Sequence, residues 1–182
     1  PINKEAIIKK VGLPCFVKAN RSGSSYGISK VYNSDQIEAA LEIAFKEDKE
    51  VIIESALVGR EVSVGVIQYQ GKTKVLPITE ILSENDFFDY QAKYEGKSTE
   101  ITPADLEPEL EDKIIAVATF IYNTLNLKGF TRSEFILVNN VPHLLEVNTT
   151  PGMTQHSILP QQAKEAGISL PELFESALLA IL

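Results

Sequence analysis

Two stretches of alternating side chains, 130–138 and 141–148, are separated only by Asn139-Asn140. Asparagine tolerates the left-handed backbone that the tightest strand connections need. The pair therefore reads as an antiparallel hairpin. A second hairpin, 62–69 with 74–78, closes across Gln70-Gly71. Shorter strands are expected at 15–18 and 28–32, and a buried one at 51–53, Val-Ile-Ile. Helical periods lie between them. Residues 4–10 end a helix stopped by Gly12 and Pro14, and Asn33 or Ser34 caps one on Ile37, Ala40, Leu41, Ala44 and Phe45. A third runs 107–125 on Leu110, Ile114, Val117, Ala118, Ile121 and Leu125. Residues 161–182 give two short helices, the second opened by Ser169-Leu170-Pro171-Glu172. Hairpins with helices between them define the α+β class.

Composition narrows the partners. In 182 residues, 25 acidic against 17 basic side chains give a net charge of −8, which argues against nucleic-acid or anionic-membrane binding. The single cysteine, Cys15, forbids an internal disulfide and fits a reducing compartment, so a cytoplasmic location is expected. No apolar run approaches the ~20 residues of a membrane span. The chain opens at Pro1 without an initiator methionine and is read as a piece of a longer protein.

Three segments carry chemistry. In the 130–148 hairpin, Arg132 and Glu134 share one strand face, as do Glu146 and Asn148 on the partner strand. A three-residue turn sets Glu134 opposite Glu146 and Arg132 opposite Asn148; a two-residue turn puts the glutamates on opposite faces. Facing carboxylates repel unless a cation lies between them. Glu, Glu and an Asn amide are oxygen donors suited to Mg²⁺ with phosphates completing the shell. The bland reading is an exposed hairpin face with an Arg–Glu salt bridge. The loop Arg21-Ser22-Gly23-Ser24-Ser25-Tyr26-Gly27 is small enough to offer backbone amides to phosphate, with Lys18 just before it. It fits neither the Walker nor the dinucleotide pattern, and taken alone a plain turn between two strands is the better reading. Residues 83–100 form a long aromatic-rich loop, either a closing lid or a loop pinned by its own aromatics. His143 and His156 are too isolated for a zinc site, and Cys15 reads as core packing.

The segments Lys18-Ala19-Asn20-Arg21-Ser22-Gly23-Ser24-Ser25-Tyr26-Gly27, Tyr90-Gln91-Ala92-Lys93-Tyr94 and Arg132-Ser133-Glu134 resemble the D-alanine–D-alanine ligase family. So does Glu146-Val147-Asn148-Thr149-Thr150-Pro151-Gly152-Met153-Thr154-Gln155-His156-Ser157, the most specific of them. The resemblance runs in order across nearly the whole chain. It implies an ATP-grasp fold: two α+β lobes with largely antiparallel sheets and the nucleotide site between them. Residues 1–60 would be part of the central lobe. Residues 61–182 would be the C-terminal lobe, holding the ω-loop (83–100) and the metal-binding hairpin (130–148).

The resemblance also implies roles. Lys18 would contact nucleotide phosphate, and Ser24 and Ser25 would fold over the β- and γ-phosphates. Glu54 would read the adenine amino group, with the backbone of Ser55 to Leu57 against the base, and Glu61 would bind ribose. Lys93 and Tyr94 would close over the γ-phosphate and second substrate. Arg132 would stabilise the transferring phosphoryl group. Glu134, Glu146 and Asn148 would hold two Mg²⁺ ions (or Mn²⁺), with Glu146 bridging. The Gly152 amide would steady an oxyanion, and Ser157 with Ile158 would take the second D-alanine's carboxylate. Glu134 departs from the family's usual aspartate by one methylene. The implied reaction is ATP-dependent joining of two D-alanines through an acyl phosphate, for peptidoglycan precursors, by a homodimer when intact. The first-substrate anchor would lie in a missing N-terminal domain, leaving this piece inactive alone. Two competing readings are a D-alanine–D-lactate or other carboxylate–amine ligase, and a nucleotide-binding module without catalysis. Lys93-Tyr94 favours the dipeptide ligase over the first.

Overall fold

A computed structural model of the chain describes residues 2–23, 25–83 and 98–182. Two compact units emerge, one centred on Pro1–Leu57 and the other made of Val58–Leu82 with Thr99–Leu182.

The first unit is an antiparallel sheet with helices on one face. Helix α1 (Lys4–Val11) starts where the Asn3 side chain accepts from the Ala6 amide, and it ends at Gly12, whose φ of 76° suits only glycine comfortably. Strand β1 (Cys15–Ala19) lies between β2 (Ser29–Val31) and β3 (Val51–Ser55). Asn33 caps a single 3₁₀ turn, Ser34–Gln36, in a capping box with Gln36, and α2 (Ile37–Glu47) follows directly. Cys15 and Val17 bury against Val31, Ile37, Ala40, Leu41 and Ala44, with Ala19 also buried. Phe16 and Lys18 take the opposite face.

Two expectations need correction here. The 51–53 strand is covered on one face only, with Ile52 37% exposed, because both helices pack on the same side of the sheet. Phe45 is 53% exposed. It lies about 80° round the helix from Ile37, at the edge of the apolar stripe.

In the second unit, β4 (Arg60–Tyr69) pairs antiparallel with β5 (Lys72–Val75), β6 (Thr79–Ser83) and β8 (Phe130–Val138). Strand β9 (Val141–Asn148) extends the sheet beyond β8, and β7 (Ser98–Ile101) lies beyond β6. Gln70 and Gly71 both take positive φ, 52° and 75°, as a two-residue hairpin turn requires. Both ends of the expected 83–100 loop are strand instead: Ser83 closes β6 and Ser98 opens β7, while 84–97 lie outside the described residues. Four residues of Ser-Thr-Glu-Ile are too few to reveal a period of two.

Strand β4 is buried from Val62 through Ile67 because both its faces are covered. Val62, Val64 and Val66 pack with Phe135 and Leu137 against Leu110, Ile114, Ala118 and Tyr122 of α3 (Pro108–Thr124). On the other face, Ile67 joins Leu76, Leu159, Ala163, Ile168 and Leu173, from α4 (Ile158–Glu165), α5 (Leu170–Leu179) and the segments beside them. Helix α4 starts three residues before the expected 161, with Pro160 tolerated in its first turn. No helix among the described residues is long and apolar enough to cross a membrane.

The inward anchor at the end of α3 is Tyr122, 2% exposed, rather than Leu125, which is 57% exposed. Its hydroxyl donates to the Gly129 carbonyl at 2.9 Å, and burial pushes its pKa up to about 12. Tyr122→Phe removes that donor and leaves the Gly129 carbonyl with the Gln68 N–H alone, at 2.9 Å. The expected cost is ~1 kcal/mol, read as a lower midpoint in urea unfolding with an unchanged slope.

Candidate functional site

The candidate residues fall into two groups, one on each unit. On the first unit, the sheet face away from the helices carries Phe16, Lys18, Ile52 and Glu54. Antiparallel register sets Phe16 against Glu54 and Lys18 against Ile52, so Lys18 and Glu54 are diagonal neighbours. Their charged ends meet, Lys18 Nζ to Glu54 Oε1 at 2.7 Å, both side chains about a quarter to a third exposed. Each cancels the other's charge, so any polyanion reaching Lys18 competes with a carboxylate already there. Ser55 turns its hydroxyl to the Val11 carbonyl at 2.7 Å, which leaves its role beside Leu57 to the backbone.

The serine-rich loop leaves β1 through a charged stem. Arg21 forks onto Asp48, Nε to Oδ2 at 3.0 Å and Nη2 to Oδ1 at 3.2 Å, and also reaches Glu50 Oε2 at 3.1 Å. Asn20 bonds Glu50 twice, by its amide side chain at 3.1 Å and its backbone N–H to the Glu50 carbonyl at 2.9 Å. The loop's only cation therefore anchors its base. Asp48 and Glu50 had no signal in the sequence, because nothing in their spacing ties them to a residue 27 positions away. Beyond the stem, Ser25 holds φ at 59°, a strained setting for a residue with a side chain. Ser24 lies outside the described residues, as do Lys93 and Tyr94.

On the second unit, alternation along β4 and β8 gathers the other candidates on one face. Glu61, Ser63 and Gly65 of β4 stand beside Ile136, Glu134 and Arg132 of β8. The turn at the tip of the β8–β9 hairpin has two residues, Asn139 (φ 51°) and Asn140 (φ 60°), with Val138 paired to Val141. That turn alone would throw Glu146 to the opposite face. A bulge intervenes: Phe135 pairs with Leu144 but Glu134 pairs with Glu146, leaving Leu145 as the extra residue. The outcome is Glu134 opposite Glu146 and Arg132 opposite Asn148, reached by a bulge instead of a three-residue turn.

The chemistry of this face is unbalanced. Glu134 is 6% exposed. Its Oε1 receives Arg132 Nε at 2.6 Å, while Oε2 is buried without a hydrogen-bond partner. Burial pushes the Glu134 carboxyl up, the Arg132 guanidinium and then the neighbouring Ser63 hydroxyl pull it down, and Glu146 opposes that pull. The salt bridge of the bland reading is present, but on a side-chain pair only 16% and 8% exposed. Oxygen donors of this kind, one of them buried and unmatched, fit a hard divalent cation. Among the described residues no three His, Cys, Asp or Glu side chains cluster as a metal site, so the set reaches three only through the Asn148 amide. That amide is fixed by Thr150 N–H, which donates to Asn148 Oδ1 at 3.0 Å.

Past β9 the chain turns into α4. Ser157 is the residue before the helix and Ile158 its first; Ser157 N–H donates to the Thr154 carbonyl at 2.9 Å and Pro160 has no N–H, so the Ile158 and Leu159 amides are the helix-start donors where the carboxylate contact was expected. The Ser157 hydroxyl accepts from Thr154 N–H at 3.2 Å and lies 2.9 Å from the Thr154 hydroxyl. A Cβ on Gly152 would come 2.7 Å from Ser157 Oγ, so glycine is required for this close approach.

Comparison with known proteins shows what the chain is similar to. The sequence profile described as "D-ala D-ala ligase C-terminus" matches residues 2–179. A D-alanine–D-alanine ligase of Flavobacterium johnsoniae is 62% identical over 97% of the chain, but over 55% of its own length. Two solved structures share the ATP-grasp architecture. The VanG D-Ala:D-Ser ligase of Enterococcus faecalis has TM-score 0.84 and 33% identity, covering 98% of this chain and 52% of its own. The D-alanine–D-alanine ligase of Bacillus anthracis, complexed with ATP, has TM-score 0.79 and 28% identity, covering 99% and 54%. The chain spans about half the length of the relatives it matches.

The charged stem gives a pH prediction. Arg21 holds the Asp48 carboxyl at about 2, below its ordinary 3.8. A carboxyl depressed by folding stabilises the fold above its unfolded value, and that contribution disappears as pH falls through the folded one. Between 3.8 and about 2, the wild-type chain should lose stability more steeply than Asp48→Asn. Thermal melts across that window check it; parallel curves would remove Arg21–Asp48 as the stem.

Proposed function

The chain belongs to the D-alanine–D-alanine ligase family, matching its C-terminal part, and on that premise we propose that the protein carrying it is an ATP-dependent ligase joining two D-alanines. The observation that carries the reading is the register of β8 and β9, which sets Arg132, Glu134, Glu146 and Asn148 on one face. In this reading the γ-phosphoryl group of ATP passes to the carboxylate of the first D-alanine, giving ADP and an acyl phosphate. The amine of the second D-alanine, having lost a proton, attacks that carbonyl, and inorganic phosphate leaves. Such phosphoryl transfer needs positioning and charge neutralisation more than a covalent nucleophile. The dipeptide would feed peptidoglycan precursor synthesis, and the cytoplasm, where ATP is available, would be the site of reaction.

The family resemblance supplies the roles. Lys18, Ser24 and Ser25 serve the nucleotide phosphates, Glu54 with the backbone of Ser55 to Leu57 the adenine, and Glu61 the ribose. Arg132 neutralises the phosphoryl group in flight. Glu134, Glu146 and Asn148 would hold Mg²⁺, which when bound neutralises phosphate charge and orients it. The longer Glu134 is accommodated by lying buried against Arg132. Gly152 N–H steadies the oxyanion, and the Ser157–Ile158 start of α4 receives the acceptor's carboxylate. Lys93 and Tyr94 would complete the acceptor side. Residues 1–60 would act as the nucleotide-side lobe and 61–182 as the lobe of phosphoryl transfer, in a dimeric protein whose remaining length anchors the first substrate's amine.

The test is phosphate release from ATP, Mg²⁺ and D-alanine by the full-length protein, with D-lactate and D-serine as competing acceptors at pH 6 to 9. D-Alanyl-D-alanine should dominate throughout; mainly depsipeptide at pH 6 would replace the reading with the hydroxy-acid alternative. The chain alone should release no phosphate that depends on D-alanine. In the full-length protein, Glu146→Gln should abolish turnover, since it removes the carboxylate facing Glu134, whereas Glu134→Asp should keep activity within about tenfold. An active Glu146→Gln protein would overturn the metal assignment.

A further inference from the structure

Gln162 lies in the apolar stripe of α4, between Leu159 and Ala163 and fully buried. A buried amide is costly unless its groups find partners. Its Nε2 has two: the Ser63 carbonyl at 2.9 Å on β4 and the Thr79 hydroxyl at 3.0 Å on β6. Thr79 in turn lies 2.6 Å from the Thr102 hydroxyl, just past β7. The amide cannot be turned round, because the Ser63 carbonyl only accepts and would then face an oxygen. Oε1 is left buried without a partner. A polar side chain kept in such a stripe with half its capacity unmet destabilises the core relative to leucine or methionine of similar size. Stability does not account for it.

Placement does. Ser63 is the β4 residue directly opposite Glu134, and it is also paired with Thr79 across β6. Gln162 thus clamps α4 to the sheet at the level of the carboxylate pair. The helix sits close because Gly65 has no side chain: a Cβ there would lie 2.5 Å from Gln162 Oε1 and 2.8 Å from Leu159 Cδ1. One turn upstream on the same helix are Ser157 and Ile158. A short helix held by apolar contacts alone can slide or roll, since such contacts are not directional. Two hydrogen bonds to fixed strand atoms remove that freedom.

We propose that Gln162, in the space left by Gly65, is a positioning residue that fixes the start of α4 against the Glu134–Arg132 face and thereby sets how the acceptor's carboxylate is held. The inference rests on the ligase reading for the identity of the acceptor. It assigns Gln162 no contact with substrate.

The test uses the full-length protein and Gln162→Met, which keeps volume and removes both donated bonds. In the wild type, D-alanine-dependent phosphate release examines the ligase reading on its own. Hydrogen exchange at the Ser157 and Gln161 amides, which donate to the Thr154 and Ser157 carbonyls, examines the clamp whatever the reaction is. Gln162→Met should speed that exchange at least tenfold, raise the KM for acceptor D-alanine roughly five- to twentyfold, and leave the KM for ATP within twofold. Gly65→Ala, which displaces the same amide, should give the same pattern, and the double variant should be no worse than the more affected single one. Ile114→Val, in the core on the far side of the sheet, controls for instability: it should lower the melting temperature without moving the acceptor KM. Unchanged exchange at the Ser157 and Gln161 amides in Gln162→Met, or acceptor and nucleotide KM values rising together, would overturn the proposal.

Discussion

The second unit depends on β4 being covered on both faces. Its period of two sends Val62, Val64 and Val66 toward α3, and sends Ser63 and Gly65 to the side where α4 docks and Glu134 lies. A valine ladder against one helix fixes the strand's rotation. Once that rotation is fixed, the small residues on the reverse face have no choice of direction. Arg132, Glu134 and Glu61 inherit their orientation from this one strand, because β8 is registered to it over eight consecutive pairs, Arg60 with Leu137 through Ile67 with Phe130. The site on this unit is thus a by-product of core packing on the opposite side of the same sheet.

Charge in both groups is arranged internally. Lys18 is closed on Glu54, Arg21 on Asp48 and Glu50, and Arg132 on Glu134. Among the described residues, Lys18, Arg21 and Arg132 each already face a carboxylate, which balances their charge. A polyanion reaching any of them would have to exchange partners with that carboxylate. Glu134 Oε2 is the exception, a buried oxygen left without a hydrogen-bond partner.

Much of this was legible from the sequence, for identifiable reasons. Hairpin turns announce themselves through Asn139-Asn140 and Gln70-Gly71, since few residues accept positive φ. The Glu134–Glu146 pairing was reachable by parity, yet its cause was hidden: Leu144-Leu145 looks like any apolar pair, and nothing local marks which leucine is the extra one. Tyr122 escaped notice because its aromatic body and polar tip suit either side of α3, and only the Gly129 carbonyl decides. Val51-Ile52-Ile53 misled because an unbroken apolar run looks the same whether helices cover one face or two. Gln162 was invisible for the opposite reason: a glutamine after another glutamine looks like solvent-facing surface until Ser63 and Thr79 are brought beneath it.

The bulge at Leu145 separates the hairpin into two mechanically independent ends. Between the Asn139-Asn140 turn and Leu144 the strands keep the register that the turn dictates; from Glu146 onward they keep one displaced by a single residue. The tip is therefore free to drift over evolutionary time, in sequence and even in turn geometry, as long as one compensating residue is gained or lost near position 145. Descendants of this hairpin can carry different tips and different spacings from tip to carboxylate while presenting the same oxygen atoms. A fixed-distance motif spanning the turn would miss such relatives, whereas one anchored on Glu146-Val147-Asn148 would find them.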